Sequence, residues 1–165
     1  MLKIGILSDT HTYLPPRVLD FFSDVDEIWH AGDIGDLQTA KKLAACKPLR
    51  AVFGNIDGQE IRKEYPQDLL FFCEGVKVLM THIGGYPGRY NPRIRALIEL
   101  KRPQLVVCGH SHILKVIYDK KWSHLHINPG AAGKYGIHHS ITAIRLIIEG
   151  KNMRDLEVLD LPKTT

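Results

Sequence analysis

Residues 104–112 read QLVVCGHSH. The apolar run from Leu105 to Cys108 stops at Gly109, and His110 and His112 follow with one residue between them. A short apolar, β-branched run bounded by glycine reads as a buried strand, so two imidazoles stand together where a strand ends. Working outward, the same event recurs four times. KIGILS (3–8) runs into Asp9, with His11 two residues on; EIWHAG (27–32) runs into Asp33; LRAVFG (49–54) into Asn55; and VKVLMT (76–81) into His82. Each run finishes on Gly, Ser or Thr and then delivers a side chain able to ligate a metal. In open α/β sheets the carboxyl ends of strands face the crevice where ligands bind. Strands lying side by side would therefore bring Asp9, His11, Asp33, Asn55, His82, His110 and His112 to one place.

The segments between these runs set the fold class. PPRVLDFFSD (15–24) reads as a helix with prolines in its first turn, and DLQTAKKLAACK (36–47) as a second, with Leu37, Ala40, Leu43 and Ala44 on one face. Strand and helix alternation over the first third predicts parallel strands with right-handed crossovers. DLLFFCEG and VKVLMTH, joined at Glu74-Gly75, predict a hairpin. NPRIRALIELKRP (91–103) has Asn91 as N-cap, Pro92 at the first helical position and Pro103 as a stop. From Gln104 onward the chain is almost wholly strand-like and predicts a mostly antiparallel region. The expectation is a four-layer α/β/β/α sandwich, two packed sheets flanked by helices, in one domain spanning residues 1–165.

Bulk properties narrow the class. A chain of 165 residues, 44% hydrophobic and 24% charged, is that of an ordinary globular protein, large enough to bury roughly 70% of its unfolded surface. Net charge is +4 with a pI near 9.0, and the basic residues are scattered in pairs. That suits anionic substrates without marking a nucleic-acid surface. Cys46, Cys73 and Cys108 form no C-x-x-C pair and read as reduced thiols. No stretch approaches a membrane span, and the N-terminus lacks a cleavable leader pattern. The expected location is the cytoplasm, with no membrane partner, no requirement for nucleic acid, and a homo-oligomer left open.

Two Asp, one Asn and four His supply hard oxygens and borderline nitrogens, which suit manganese, iron, nickel or zinc rather than calcium. Seven ligands are too many for one tetrahedral ion and right for two ions sharing a carboxylate. Two metals about 3.5–4 Å apart can clamp a phosphate oxygen while an activated water attacks phosphorus.

In order, DTH, Gly32-Asp33, GNID (54–57), His82 and GHSH (109–112) resemble the motif set of the calcineurin-like metallophosphoesterases, and INPGA (127–131) resembles the close of their small phosphodiesterase branch. The resemblance spans almost the whole chain. It implies the same sandwich and a dinuclear centre, manganese first, with nickel, iron, zinc or magnesium as alternatives. Asp9, His11, Asp33 and His112 would hold one metal, and Asp33, Asn55, His82 and His110 the other. The activity it implies is hydrolysis of a small phosphoester, a diester first.

The chain departs from the pattern twice. Ile56 follows Asn55 where the phosphatase branch has a histidine that protonates the leaving group, although Asp57, which would orient it, remains. Ile83 follows His82 and opens a glycine-rich loop carrying Arg89, whose guanidinium suits phosphate oxygens. Arg89 and Asp57 are thus the candidate substrate-side residues. His30, His124, His126, His138 and His139 read as non-ligands, and Trp29 and Trp122 as packing. The alternative to an enzyme is a binding scaffold, as in a retromer subunit that resembles this fold.

Overall fold

Two five-stranded sheets face each other, and the order of their strands explains why five strand ends meet. The computed structural model describes residues 1–164. Its elements run β1 (Leu2–Leu7), α1 (Pro16–Phe21), β2 (Glu27–His30), α2 (Leu37–Cys46), β3 (Leu49–Ala51), α3 (Gln59–Glu64), β4 (Asp68–Cys73), β5 (Val76–Thr81), α4 (Pro92–Lys101), β6 (Leu105–Val107), β7 (Leu114–Asp119), β8 (His124–Pro129), β9 (Ser140–Glu149) and β10 (Asn152–Pro162). The first sheet has the order β10-β9-β1-β2-β3 and the second β4-β5-β6-β8-β7.

Side-chain alternation sorts each strand between two layers. Ile4 and Ile6 of β1 and Trp29 of β2 meet Val78 and Met80 of β5 and Leu105 and Val107 of β6 in the core between the sheets. On the far face of the first sheet, Leu7 and Ile28 pack with Val18, Phe22 and Leu43 from the α1 and α2 region. On the far face of the second, Leu79 and Val106 pack with Ile94 and Ile98 of α4. This is the α/β/β/α sandwich. The caps on α2 and α4 are local: Asp36 accepts from the Thr39 amide and Asn91 from the Ile94 amide, each worth about 1 kcal/mol.

Three features differ from the sequence expectation. The later region is mostly antiparallel, as expected, but β6 lies parallel to both β5 and β8; α4 supplies the crossover that makes β5 and β6 parallel. β9 and β10 return to the first sheet, with β9 antiparallel to β1. The helix α3 was not anticipated: it has six residues and no side-chain cap, and is held by Ile61 packing with Ile34, Ala40 and Ala51. Trp29 is core, in edge contact with Phe71 at 5.0 Å. No helix among the described residues is long and apolar enough to cross a membrane.

Candidate metal centre

β1, β2, β3, β5 and β6 are neighbours in two facing sheets, and their C-terminal loops are stitched to one another by backbone bonds. Asp9, His11 and Thr12 donate their amides to the carbonyls of Gly32, Asp33 and Ile34 at 2.9, 3.0 and 2.9 Å, and the Gly109 amide reaches the His82 carbonyl at 3.0 Å. Asp57 ties the same region from beneath. It is 2% exposed, and its carboxylate accepts from the amides of Ile34, Gly35 and Gly54 at 3.1, 2.9 and 2.8 Å. A substrate-side role for Asp57 is thereby corrected: its oxygens are used up inside the loops that present Asp33 and Asn55.

The loops are strained where the candidate residues sit. Asp9, His11, Asp33, His110 and His112 all have positive φ, between 45° and 75°. For a residue with a Cβ this costs on the order of 1–3 kcal/mol, and it persists only where the surroundings impose it. Two glycines permit the crowding. A Cβ on Gly109 would run into Ser8 Oγ and come within 3.0 Å of Asp9 Oδ2, and one on Gly54 would overlap the Asp33 carboxylate.

Each carboxylate spends one oxygen on the protein and presents the other inward. Asp9 Oδ2 accepts from Ser8 Oγ at 2.7 Å and the His110 amide at 3.0 Å. Asp9 Oδ1 then faces His112 Nε2 at 3.2 Å and His11 and His82 Nε2 at 3.8 Å. Asp33 Oδ1 accepts from the Ile56 amide at 3.0 Å, while Oδ2 lies 3.2 Å from His82 Nε2 and 3.4 Å from His11 Nε2. Asp9, His11 and His112 form one group of mutually close donor atoms, and Asp33, His82 and His110 another. Asn55 is exposed beside the second group, its Oδ1 3.1 Å from His110 Nδ1.

The imidazoles are oriented from behind. His82 Nδ1 donates to the Ala31 carbonyl at 2.7 Å, which turns Nε2 toward the carboxylates. His112 is backed by a residue that the sequence pattern marks as a non-ligand: His138 Nε2 donates to the Gly133 carbonyl at 2.8 Å, so its Nδ1 is left to accept from His112 Nδ1 at 3.2 Å. That relay fixes the Nε2 of His112 as the inward lone pair. Asn128, from the INPGA stretch, donates to the Gly109 carbonyl at 3.0 Å and to Ser111 Oγ at 3.1 Å, and Tyr86 donates to the same hydroxyl; together they hold the turn that separates His110 from His112.

Burial raises the carboxyls of Asp9 and Asp33, but the imidazoles of His11 and His112 beside the first and of His82 beside the second outweigh it and hold both below the usual range. Burial depresses His82, but Asp33 and Asp9 override that and raise it. A charge-dense site of this kind is built for cations. Asp9 Oδ1, His11 Nε2 and His82 Nε2 are buried with no hydrogen-bond partner among the described residues, and buried polar atoms are rarely left so. Donors ligating one cation at about 2.1 Å lie about 3.0–3.4 Å apart, close to the separations seen here, so the residues fit a metal.

His30, His124 and His126 lie outside the two groups of close donor atoms. His30 accepts from the Gly32 amide at 3.1 Å and donates to Thr10 Oγ1 at 3.0 Å. His124 and His126 share the Tyr90 hydroxyl, at 2.8 and 2.7 Å. Arg89 is exposed on its turn and its side chain makes no hydrogen bond or ion pair among the described residues.

The geometry agrees with what the chain resembles. A protein named "Probable metallophosphoesterase" from Methanothermobacter thermautotrophicus is 32% identical over 116 residues, 67% of each chain. The solved structure of an archaeal phosphodiesterase superposes with a TM-score of 0.75 at 27% identity, covering 96% of this chain and 100% of that one. Wild-type Vps29 from Entamoeba histolytica, solved in complex with zinc, shares the fold at a TM-score of 0.76 and 13% identity, covering 98% of this chain and 99% of its own. Residues 2–151 match the family model of the calcineurin-like phosphoesterase superfamily domain, and the chain belongs to that superfamily.

Proposed function

We propose that the chain is a metal-dependent phosphodiesterase whose centre is formed by Asp9, His11, Asp33 and His112 on one side and by Asp33, Asn55, His82 and His110 on the other. One observation carries this reading. Buried lone pairs on Asp9, His11 and His82 converge unpartnered, and Asp33 Oδ2 faces imidazoles of both groups. When bound, two divalent cations, manganese first by donor chemistry, would bring the pKa of water toward neutrality and neutralise phosphate oxygens. Ser8 and the His110 amide hold Asp9 in place, and the Ile56 amide does the same for Asp33. Ile56 itself, 45% exposed beside Asn55, has no proton to give, and a general acid is typically worth about 10²–10⁴ in rate. Aryl or other weakly basic leaving groups are therefore favoured over alkoxides.

A compact diester as substrate is supported by the likeness to the archaeal phosphodiesterase and by basic residues too scattered for a nucleic-acid track. We assign the protein to the cytoplasm, with Cys73 and Cys108 as inert thiols that burial pushes up to about 11 and about 12. A scaffold role in the manner of Vps29 has no observation of its own, since every expected ligand is present. The test is to strip the purified protein with a chelator, reload it with manganese, and assay bis(p-nitrophenyl) phosphate against p-nitrophenyl phosphate. Loss and recovery of diester hydrolysis is expected. Turnover indifferent to chelation, or a preference for the monoester, would overturn the reading.

The His138 relay gives a second expectation. Partners behind a ligating histidine are typically worth about 10–100-fold in metal affinity. His138→Ala should weaken one of two manganese sites by that factor in a calorimetric titration and leave the other unchanged. His138→Gln, which can accept from His112 and donate to Gly133, should recover most of the loss. Equal weakening of both sites, or of neither, would count against the relay.

A further inference from the structure

A pocket of about 210 Å³ beside the centre opens on Asn55 and His82 and is walled by Phe53, Ile83, Arg62 and Arg93. Its two arginines are not equivalent. Arg93 is neutralised, both terminal nitrogens pairing with the Asp68 carboxylate. Arg62 has no carboxylate partner among the described residues. Its Nε donates to the Asp57 carbonyl at 2.6 Å, and its guanidinium lies 4.4 Å from the Phe53 ring centroid. One nitrogen and one face are thus fixed, and the two terminal amino groups remain free at the pocket wall. The brace is shared with the centre: the residue whose carbonyl holds Arg62 is the one whose carboxylate ties the loops bearing Asp33 and Asn55.

We propose that this pocket receives one ester arm of the substrate and that Arg62 binds a compact oxyanion, carboxylate or phosphate, at the end of that arm. The inference rests on the phosphodiesterase reading and deepens it by naming the substrate class. A planar guanidinium with two free amino groups presents a fork matched to two oxygens of one anion. Its stacked face and anchored Nε mean that little side-chain freedom is lost on binding. The volume limits the arm. At about 30 Å³ per water-sized group, the pocket takes about seven such groups, enough for an arm that ends in a short acid. Arg62 thus takes the role that the sequence suggested for Arg89.

The test uses manganese-loaded protein and two p-nitrophenyl phosphodiesters that differ only in the second arm, 2-carboxyethyl or its neutral 2-carbamoylethyl isostere. The wild type should favour the carboxylate about tenfold in kcat/KM, mainly through KM, as expected for one charge-assisted contact at a partly open site. Arg62→Gln should abolish the preference, and Lys63→Gln, one residue away and exposed, should keep it. A calorimetric comparison of 2-carboxyethylphosphonate with its amide reads the same preference without turnover. No preference in the wild type, or one that survives Arg62→Gln, overturns the proposal. An Arg62-dependent binding preference in a protein that hydrolyses neither diester would sink the phosphodiesterase reading and leave the anion pocket standing.

Discussion

Asp33→Asn is expected to lower diester hydrolysis at least about a thousandfold and to reduce bound manganese from two ions per chain to one or none. The substitution isolates charge from structure. Asparagine keeps an Oδ1 for the Ile56 amide, leaves the backbone bond from His11 to the Asp33 carbonyl intact, and tolerates the φ of 56° at this position. What it removes is the anionic oxygen that lies 3.2 Å from His82 and 3.4 Å from His11. Charge stabilisation at a metal-bound phosphoryl group is worth several kcal/mol, and each 1.36 kcal/mol is about tenfold in rate, which sets the thousandfold floor. His82 gives a readout that needs no metal. Its pKa stands raised by the Asp33 carboxylate 3.2 Å from its Nε2, against burial, so in metal-free protein the variant should show it titrating lower by NMR. A variant that retains two metals and a rate within a few fold of wild type would show that Asp33 does not bridge. Unchanged far-UV circular dichroism is the control for folding.

The convergence of the seven side chains was legible in the sequence because each follows an apolar run, and strand ends in neighbouring positions converge whatever the loops do in detail. The supports were not legible, since they depend on which way a loop side chain turns. Asp57 sits two residues from Asn55, yet points under the loops to three amides. His138 meets His112 across 26 residues, and nothing in the local pattern KYGIHH signals it. Arg89 looked close to the centre through its loop, whereas Arg62 comes near it through α3, a helix too short for periodicity to reveal. The sandwich followed from alternation of strands and helices. The return of β9 to pair with β1 did not, because no short-range rule states which sheet a late strand completes.

Acid should destabilise the metal-free protein well above the range in which its carboxylates titrate. His30 is pushed down to about 3 by burial first, and His126 to about 4 by burial and then by the charge of His124. Geometry gives the reason for His30: its Nδ1 accepts from the Gly32 amide, and a proton there would end that bond. Both folded values lie below the unfolded value of about 6.5. Their contribution is therefore fully present above pH 6.5 and is lost as pH falls toward the folded pKa. Between pH 6.5 and 4.5 each residue costs about 2–3 kcal/mol at 1.36 kcal/mol per unit, roughly 5 kcal/mol together, against a typical total of about 5–15. Asp9 and Asp33 do not offset this loss. Their folded values are depressed, so their stabilisation is present above about pH 4 and disappears only below this window. His82, being raised, already contributes in full below pH 6.5. Urea titrations at pH 6.5 and 4.5 should show the midpoint falling steeply. In His126→Asn, whose side-chain oxygen can take the place of Nδ1 opposite Tyr90, the drop should shrink by about 2–3 kcal/mol even if the variant is less stable at neutral pH. A wild-type midpoint that holds steady down to pH 4.5, or an identical drop in the variant, would remove these buried imidazoles as the cause.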